Sequence, residues 1–134
     1  MIYEEAEGFR RAHTEALEGL KSKDTIFSMG ARQSFYENMG DFLQDHDKTR
    51  KTQNIKLKVI GFSSAKKELG KNRPNMEVKY LKEDYPSLVG TSIYGETTLI
   101  QVYSQPPIVI SIKSKKISES YKKYFDLFWK IAIK

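Results

Sequence analysis

Residues 93–114 read IYGETTLIQVYSQPPIVISIKS, and residues 115–130 read KKISESYKKYFDLFWK. The first stretch is rich in β-branched and aromatic residues, and Gly95-Glu96 sits between two apolar runs as a hairpin turn does. The Pro106-Pro107 step separates those two strands from a third. In the second stretch Ile117, Tyr121, Tyr124, Phe125 and Phe128 follow at steps of four, three, one and three. That spacing makes a wide apolar stripe along one helix. Antiparallel strands closed by a helix with a sheet to cover frame the rest of the chain.

Upstream, helices and strands alternate. Residues 2–21 predict a helix with Ala6, Phe9, His13, Ala16, Leu17 and Leu20 on one side, and Thr25 to Met29 a short buried strand. A second helix after Gly30 turns Phe35, Met39, Phe42, Leu43 and His46 inward, with Lys48, Arg50 and Lys51 suited to its C-terminal dipole. Ile55 to Ile60 alternates like a strand with one face covered. A short helix follows from Ala65 to about Leu69, then a strand from Met76 to Leu81, and residues 82–90 read as irregular. Strands joined by single helices call for right-handed crossovers and parallel pairing. The expected fold is α/β: a mixed, mostly parallel sheet with antiparallel C-terminal strands and helices on both faces. Residues 1–134 form a single domain, long enough to bury a core.

The chain has no cysteine, which removes disulfides, thiolate chemistry and cysteine-held zinc. No apolar run approaches the length of a membrane span, and the acidic start, MIYEEAEG, lacks the positive charge of a signal peptide. A soluble, cytoplasmic protein is expected. The net charge of +6 is unevenly spread: residues 48–82 hold eleven Lys and Arg against Glu68 and Glu77, a local +9, so the remainder carries −3. Such a block suits an anionic partner, but a lysine-rich solvated face is the favoured reading, because the lysines are not interleaved with aromatics as in single-strand binders.

Several features occur together in order: a first helix rich in Ala and Glu, a strand reaching Ser28-Met29-Gly30, and a helix reaching His46-Asp47-Lys48-Thr49-Arg50. The strand IKLKVI, the turn at Tyr94-Gly95-Glu96 and the closing YKKYFDLFWK complete the series. In this order the chain resembles the effector-sensing domain of the TrmB family of archaeal transcriptional regulators, a degenerate relative of the phospholipase D fold. The resemblance implies one half of a phospholipase D-like fold, acting as a non-catalytic ligand-sensing and dimerisation domain. It also implies a homodimer, a small-molecule effector such as a sugar or phosphorylated compound, and DNA reached through a fused or separate helix-turn-helix domain. No cofactor and no metal are implied.

Phospholipase D enzymes carry His-x-Lys, four further residues and Asp, so that an imidazole beside a cation attacks the phosphate. With Glu96 at the acidic position, the other two fall on Val89 and Thr91, which lack that chemistry. The literal His46-Asp47-Lys48 has Gln53 at its acidic position and lies at the end of the predicted helix. His46 therefore reads as a helix-terminal histidine near the apolar side, and His13 as packing on the inner face of the first helix. Catalysis is not expected, and a residual phosphodiesterase is the least favoured alternative.

Binding is what remains. Ligands of open α/β sheets gather beyond the carboxyl ends of the parallel strands. Two such ends open toward helices, one with Ser28, Gly30 and Arg32, the other with Ser63 and Ser64, where free N–H groups favour an anion. Arg32 would clamp it at two points. Tyr94, Gln101 and Tyr103 on the late strands would add stacking and hydrogen-bonding walls. The plainer reading of the same residues is an N-cap at Ser63 or Ser64 and an eased turn at Gly30. The alternative function is a nucleic-acid-binding domain in which Lys56, Lys58, Lys66 and Lys67 neutralise phosphates.

Overall fold

The computed structural model describes residues 1–71, 73–81 and 89–134. Most of the segment expected to be irregular, residues 82–88, lies outside them. The chain runs β1 (Ile2–Glu4), α1 (Glu5–Glu18), β2 (Thr25–Ala31), α2 (Gln33–Met39), α3 (Phe42–Gln53) and β3 (Lys56–Phe62). A 3-10 turn (Ser63–Ala65) and α4 (Lys66–Leu69) lead to β4 (Met76–Leu81), β5 (Val89–Tyr94), β6 (Thr97–Val102), β7 (Ile108–Lys113) and α5 (Lys115–Ile131).

The seven strands lie in the order β1-β7-β6-β5-β2-β3-β4. Parallel pairing is confined to β2–β3 and β3–β4, the strands joined by helical crossovers. The strands β5, β6 and β7 pair antiparallel with one another, and β5 joins them to β2. The two-residue turn between β5 and β6 has Gly95 first at φ +61, the position where only glycine is unstrained in a II′ turn. The expected mixed sheet with helices on both faces is what forms, but it is not mostly parallel: four of its six pairings are antiparallel, because β5 turns back against β2 and β1 adds to β7 at the far edge.

Alternation along each strand divides the core in two. Ile26, Leu57, Val59, Tyr94 and Leu99 face α1, α2 and α3, packing with Phe9, Ala16, Leu17 and Met39. Ile60 faces the other way, where Phe125 and Ala132 cover it beside Phe27, Met29, Phe128 and Trp129. The Phe27 and Phe125 rings meet edge to face at 5.1 Å. The amphipathic α5, capped by Ser114 accepting the Ile117 N–H at 3.3 Å, is the helix that covers the second face among the described residues.

Three expectations need correction. The first helix does not begin at residue 2: Ile2–Glu4 pairs with β7 in the register Tyr3 to Val109, and α1 starts after it at Glu5, held at φ +62. The second helix is broken at Gly40, whose φ of +54 and ψ of −139 no helix continues through, so α2 and α3 are separate. His46 consequently lies inside α3 rather than at a helix end. Val89 and Gly90, read as irregular, open β5.

Candidate functional site

The two histidines of the chain, 33 positions apart on α1 and α3, meet beneath β5 in one buried hydrogen-bonded chain. Its direction follows from Arg50, whose guanidinium can only donate. Arg50 Nε donates to His46 Nδ1 at 3.3 Å, so His46 carries its proton on Nε2 and donates to the Tyr94 hydroxyl at 3.0 Å. Tyr94 then donates to His13 Nδ1 at 2.7 Å, and His13 Nε2–H donates to Gln101 Oε1 at 2.8 Å. Gln101 Nε2 passes the sequence to Ser92 Oγ at 2.8 Å, which lies 3.1 Å from Ser28 Oγ. Every imidazole nitrogen is used with both rings neutral. Burial pulls His13 down to about 4 against the opposing Gln101 hydrogen bond. His46 falls to about 3 through burial first, then through His13 and Arg50 beside it. Burial also pushes the Tyr94 phenol well above its ordinary value.

At the start of this chain Asp47 binds two guanidiniums. It accepts from Arg50 Nη2 and, at 2.8 and 3.0 Å, from Arg73 Nε and Nη2. Arg50 also donates to the Pro74 carbonyl at 2.8 Å. Burial opposes ionisation of Asp47, but Arg73 and Arg50 together hold its carboxyl below the usual range. Two of the eleven cations of the basic block are therefore internal fittings, not surface charge.

The residues expected to line a ligand pocket are spread over different surroundings. Ser28, Tyr94 and Gln101 belong to the buried chain just described. Tyr103 is buried as well, its hydroxyl 3.4 Å from the Gly30 carbonyl. Gly30, at φ +85, is the bulge that shifts the β2–β3 register, and a side chain there would press on Gly90 and Val89. The Arg32 guanidinium lies over the Phe62 ring at 4.2 Å. Ser63 and Ser64 are exposed on the 3-10 turn, and Phe62, not a serine, stands at its N-cap.

At the carboxyl ends of β2 and β3 there is an open groove of about 230 Å³ lined by Met29, Gly30, Phe62, Leu81, Val89, Thr91 and Phe128. Val89 and Thr91 are the two positions where the resemblance would place a phospholipase D nucleophile and its lysine. They sit here among apolar side chains.

A second arrangement occupies the α5 side of the β3–β4 edge. The Lys58 and Lys79 ammonium groups lie 5.4 and 4.7 Å from the Trp129 ring centre, and Lys79 also donates to the Trp129 carbonyl at 3.1 Å. Lys122 lies 4.4 Å above the Phe27 ring. It shares with Lys123, Thr25, Phe27 and Ser118 a shallow groove of about 360 Å³. Lys56, by strand alternation, falls on the side of Lys58. Lys66 does not join them: it lies over Tyr80, 5.6 Å from its ring, and Tyr80 packs against the opposite core, while Lys67 is exposed beside it on α4. Lys79, Lys122 and Trp129 were not singled out from the sequence as partners in one face. Alternation relates Lys79 to Lys58 only once β4 is known to lie beside β3.

Among the described residues no group of three His, Asp or Glu is placed to hold a metal ion, and no helix is long and apolar enough to cross a membrane. No family model matches the chain, and no curated protein matches it. Among the solved structures that share its fold are the following two. NucT from Helicobacter pylori superposes with a TM-score of 0.69 at 11% identity, over 99% of this chain and 96% of that one. TrmBL2, an archaeal chromatin protein whose structure shows a novel mode of DNA binding, superposes with a TM-score of 0.75 at 13% identity, over 99% of this chain and 52% of the other. The chain thus has a TrmB-like fold and spans about half the length of that chromatin protein.

Proposed function

We propose that this chain is a non-catalytic, phospholipase D-like domain that binds nucleic acid through the face shared by α5 and the β3–β4 edge. The observation that carries the proposal is the pairing of cations with aromatic rings there: Lys58 and Lys79 on Trp129, and Lys122 on Phe27. Such a surface supplies the phosphate neutralisation on which nucleic-acid affinity chiefly rests. It also supplies ring faces to pack against sugars or bases. The DNA binding of TrmBL2, which shares the fold, supports the same reading. The apolar surroundings of Val89 and Thr91 support a role without phosphodiester cleavage.

Trp129 is the single tryptophan, so its fluorescence reports occupancy of this face directly. Titration with a short DNA duplex should change the emission, with an affinity that falls steeply with salt. The double substitution Lys58→Gln, Lys79→Gln should lower the log–log salt slope by about 2, roughly 0.9 for each phosphate no longer neutralised. An unchanged affinity and slope would remove this face from consideration.

The effector-sensing reading, with a sugar or phosphorylated compound as ligand and a homodimer as the acting form, rests on the same TrmB-like fold. The groove at the carboxyl ends of β2 and β3 is the feature that favours it. A salt-insensitive rise in melting temperature with one small molecule, and none with duplex, would make it the better account.

A further inference from the structure

On the second face of the sheet α5 is the one helix among the described residues. The apolar cluster beneath it gathers Phe27, Met29, Ile60 and Leu81 from β2, β3 and β4. Strands β6, β7 and β1 lack that cover over most of their length. Alternation turns Leu99 and Val109 into the core beneath α1, where both are fully buried. It turns Ile100, Val102, Ile108, Ile110 and Ile112 the other way, yet all five stay half-buried and join neither packed cluster. The register sets them side by side, Ile100 with Ile110 and Val102 with Ile108. Ile2 extends the row beyond Ile110 and is 63% exposed. This half of the face is an open apolar floor.

The helix that borders this floor has two unlike flanks. One carries Trp129 and Lys122 toward Lys58, Lys79 and Phe27. At 3.6 residues per turn Ile117, Tyr121 and Phe128 fall on the opposite flank, on the side of the open floor. Phe128 accordingly lines a groove with Val89 and Thr91 of β5. Further round the helix, Tyr124, Leu127 and Ile131 point away from the sheet and are 56%, 59% and 61% exposed. Floor, flank and outer stripe form one continuous apolar surface on the order of 800 Å². That exceeds the about 300–600 Å² of the largest patch on a typical monomer and matches what each side of a stable interface contributes.

Shape and charge both point to a second copy of this chain as the occupant. The same molecule presents a concave corner, where α5 stands beside the floor, and a convex stripe along that helix. The floor ends at β1 in Glu4, which is exposed and by alternation shares the side of Ile2. The stripe is bordered by the exposed Lys123 and Lys130. A two-fold axis sets each stripe on the other copy's floor, with two α5 helices side by side between two sheets. The Lys123 and Lys130 row of each copy then faces the Glu4 edge of the other. We infer that the β6–β7–β1 half of this face, together with the outer stripe of α5, is the interface of a symmetric homodimer. The inference rests on the homodimer of the effector-sensing reading and gives it a surface, on the flank of α5 away from Lys58, Lys79 and Trp129.

The test is sedimentation equilibrium of the full chain over a concentration series without nucleic acid, beside Leu127→Glu and Ile2→Glu. The wild type should reach twice the 15.5 kDa of one chain. Both substituted side chains are mostly exposed in the single copy, so the fold tolerates the new charge. In the dimer that charge is buried against apolar groups, and each variant should raise the dissociation constant at least about 100-fold. Hydroxyl-radical labelling of the wild type reads the same surface without a variant: Tyr124 and Leu127 should lose reactivity as the dimer forms. A wild type that stays monomeric at millimolar concentration would overturn the interface together with the homodimer. A dimer whose affinity survives both substitutions, or whose formation leaves Tyr124 as reactive as before, would overturn this interface while the homodimer of the effector-sensing reading stands.

Discussion

On one side of the sheet, beneath α1 and α3, the interior holds two histidines, a glutamine, a tyrosine hydroxyl and a guanidinium, each oriented by the next. On the other side, beneath α5, it holds Ile60, Phe125, Ala132 and flanking aromatics, which have no directional demands. Burial on the polar side costs the hydration of every group and returns it only if every hydrogen bond is made. Burial on the apolar side follows area and shape. The first side is thereby intolerant of small chemical changes, whereas the second tolerates them if volume is kept. The same division separates charge by role: Arg50 and Arg73 are spent inside, while Lys58, Lys79 and Lys122 stay on aromatic rings at the surface.

The sharpest way to break this contrast is a pair of conservative substitutions. Asp47→Asn keeps the shape but leaves two buried guanidiniums without their carboxylate, and it should cost about 3–5 kcal/mol in urea unfolding. Phe125→Leu on the other side keeps an apolar side chain and should cost less than about 1.5 kcal/mol. Equal losses would mean that the two faces do not differ in the way argued.

Acid comes next in size. His13 and His46 titrate at about 4 and about 3 in the folded chain, below the 6.5 of an unperturbed imidazole. Below that value the unfolded chain binds protons that the folded chain refuses, so stability falls as pH drops from about 6.5 toward 4. The slope is up to about 1.4 kcal/mol per pH unit for each histidine. Asp47, with a lowered pKa, adds a further loss that begins as the pH falls below the ordinary 3.8 of the unfolded carboxyl and is complete once the folded carboxyl is protonated. Urea midpoints measured from pH 7 to pH 4.5 should reveal the slope, and His46→Gln should reduce it by about half. A flat profile would show that the imidazoles are not held neutral.

The smallest effect belongs to the exposed pair on α5. Lys122 and Asp126 are 2.7 Å apart but 35% and 54% exposed, so Lys122→Ala should change stability by about 0.5 kcal/mol or less. A loss above about 1 kcal/mol would show that the contact of Lys122 with the Phe27 ring is part of the core.

Local pattern made much of the fold legible. Met76–Leu81, the Gly95 turn and the helix beginning at Lys115 stand where periodicity and turn chemistry placed them. The errors fall where a partner outweighs the local signal. Ile2–Glu4 precedes a good helix and becomes a strand because Tyr3 buries itself opposite Val109 at an open sheet edge. Gly40 lies inside a continuous helical pattern, yet its backbone breaks it. The polar chain had even less local trace. His13 and His46 are legible as inward-facing helix residues, but nothing in either neighbourhood names Tyr94 as the hydroxyl between them.

Composition, spacing and turn residues were enough to determine an α/β chain with a mixed sheet, helices on both faces and a strong cationic bias. These are properties of short windows, in which side-chain period and backbone preference act without knowledge of distant residues. Tertiary structure alone decided which cations became structural and which stayed available. Arg50 and Lys58 come from the same basic block, yet one is buried against Asp47 and the other rests on Trp129. The physical reason is that the cost of a charge depends on what surrounds it, and those surroundings come from α3, β4 and α5, segments that only folding brings together.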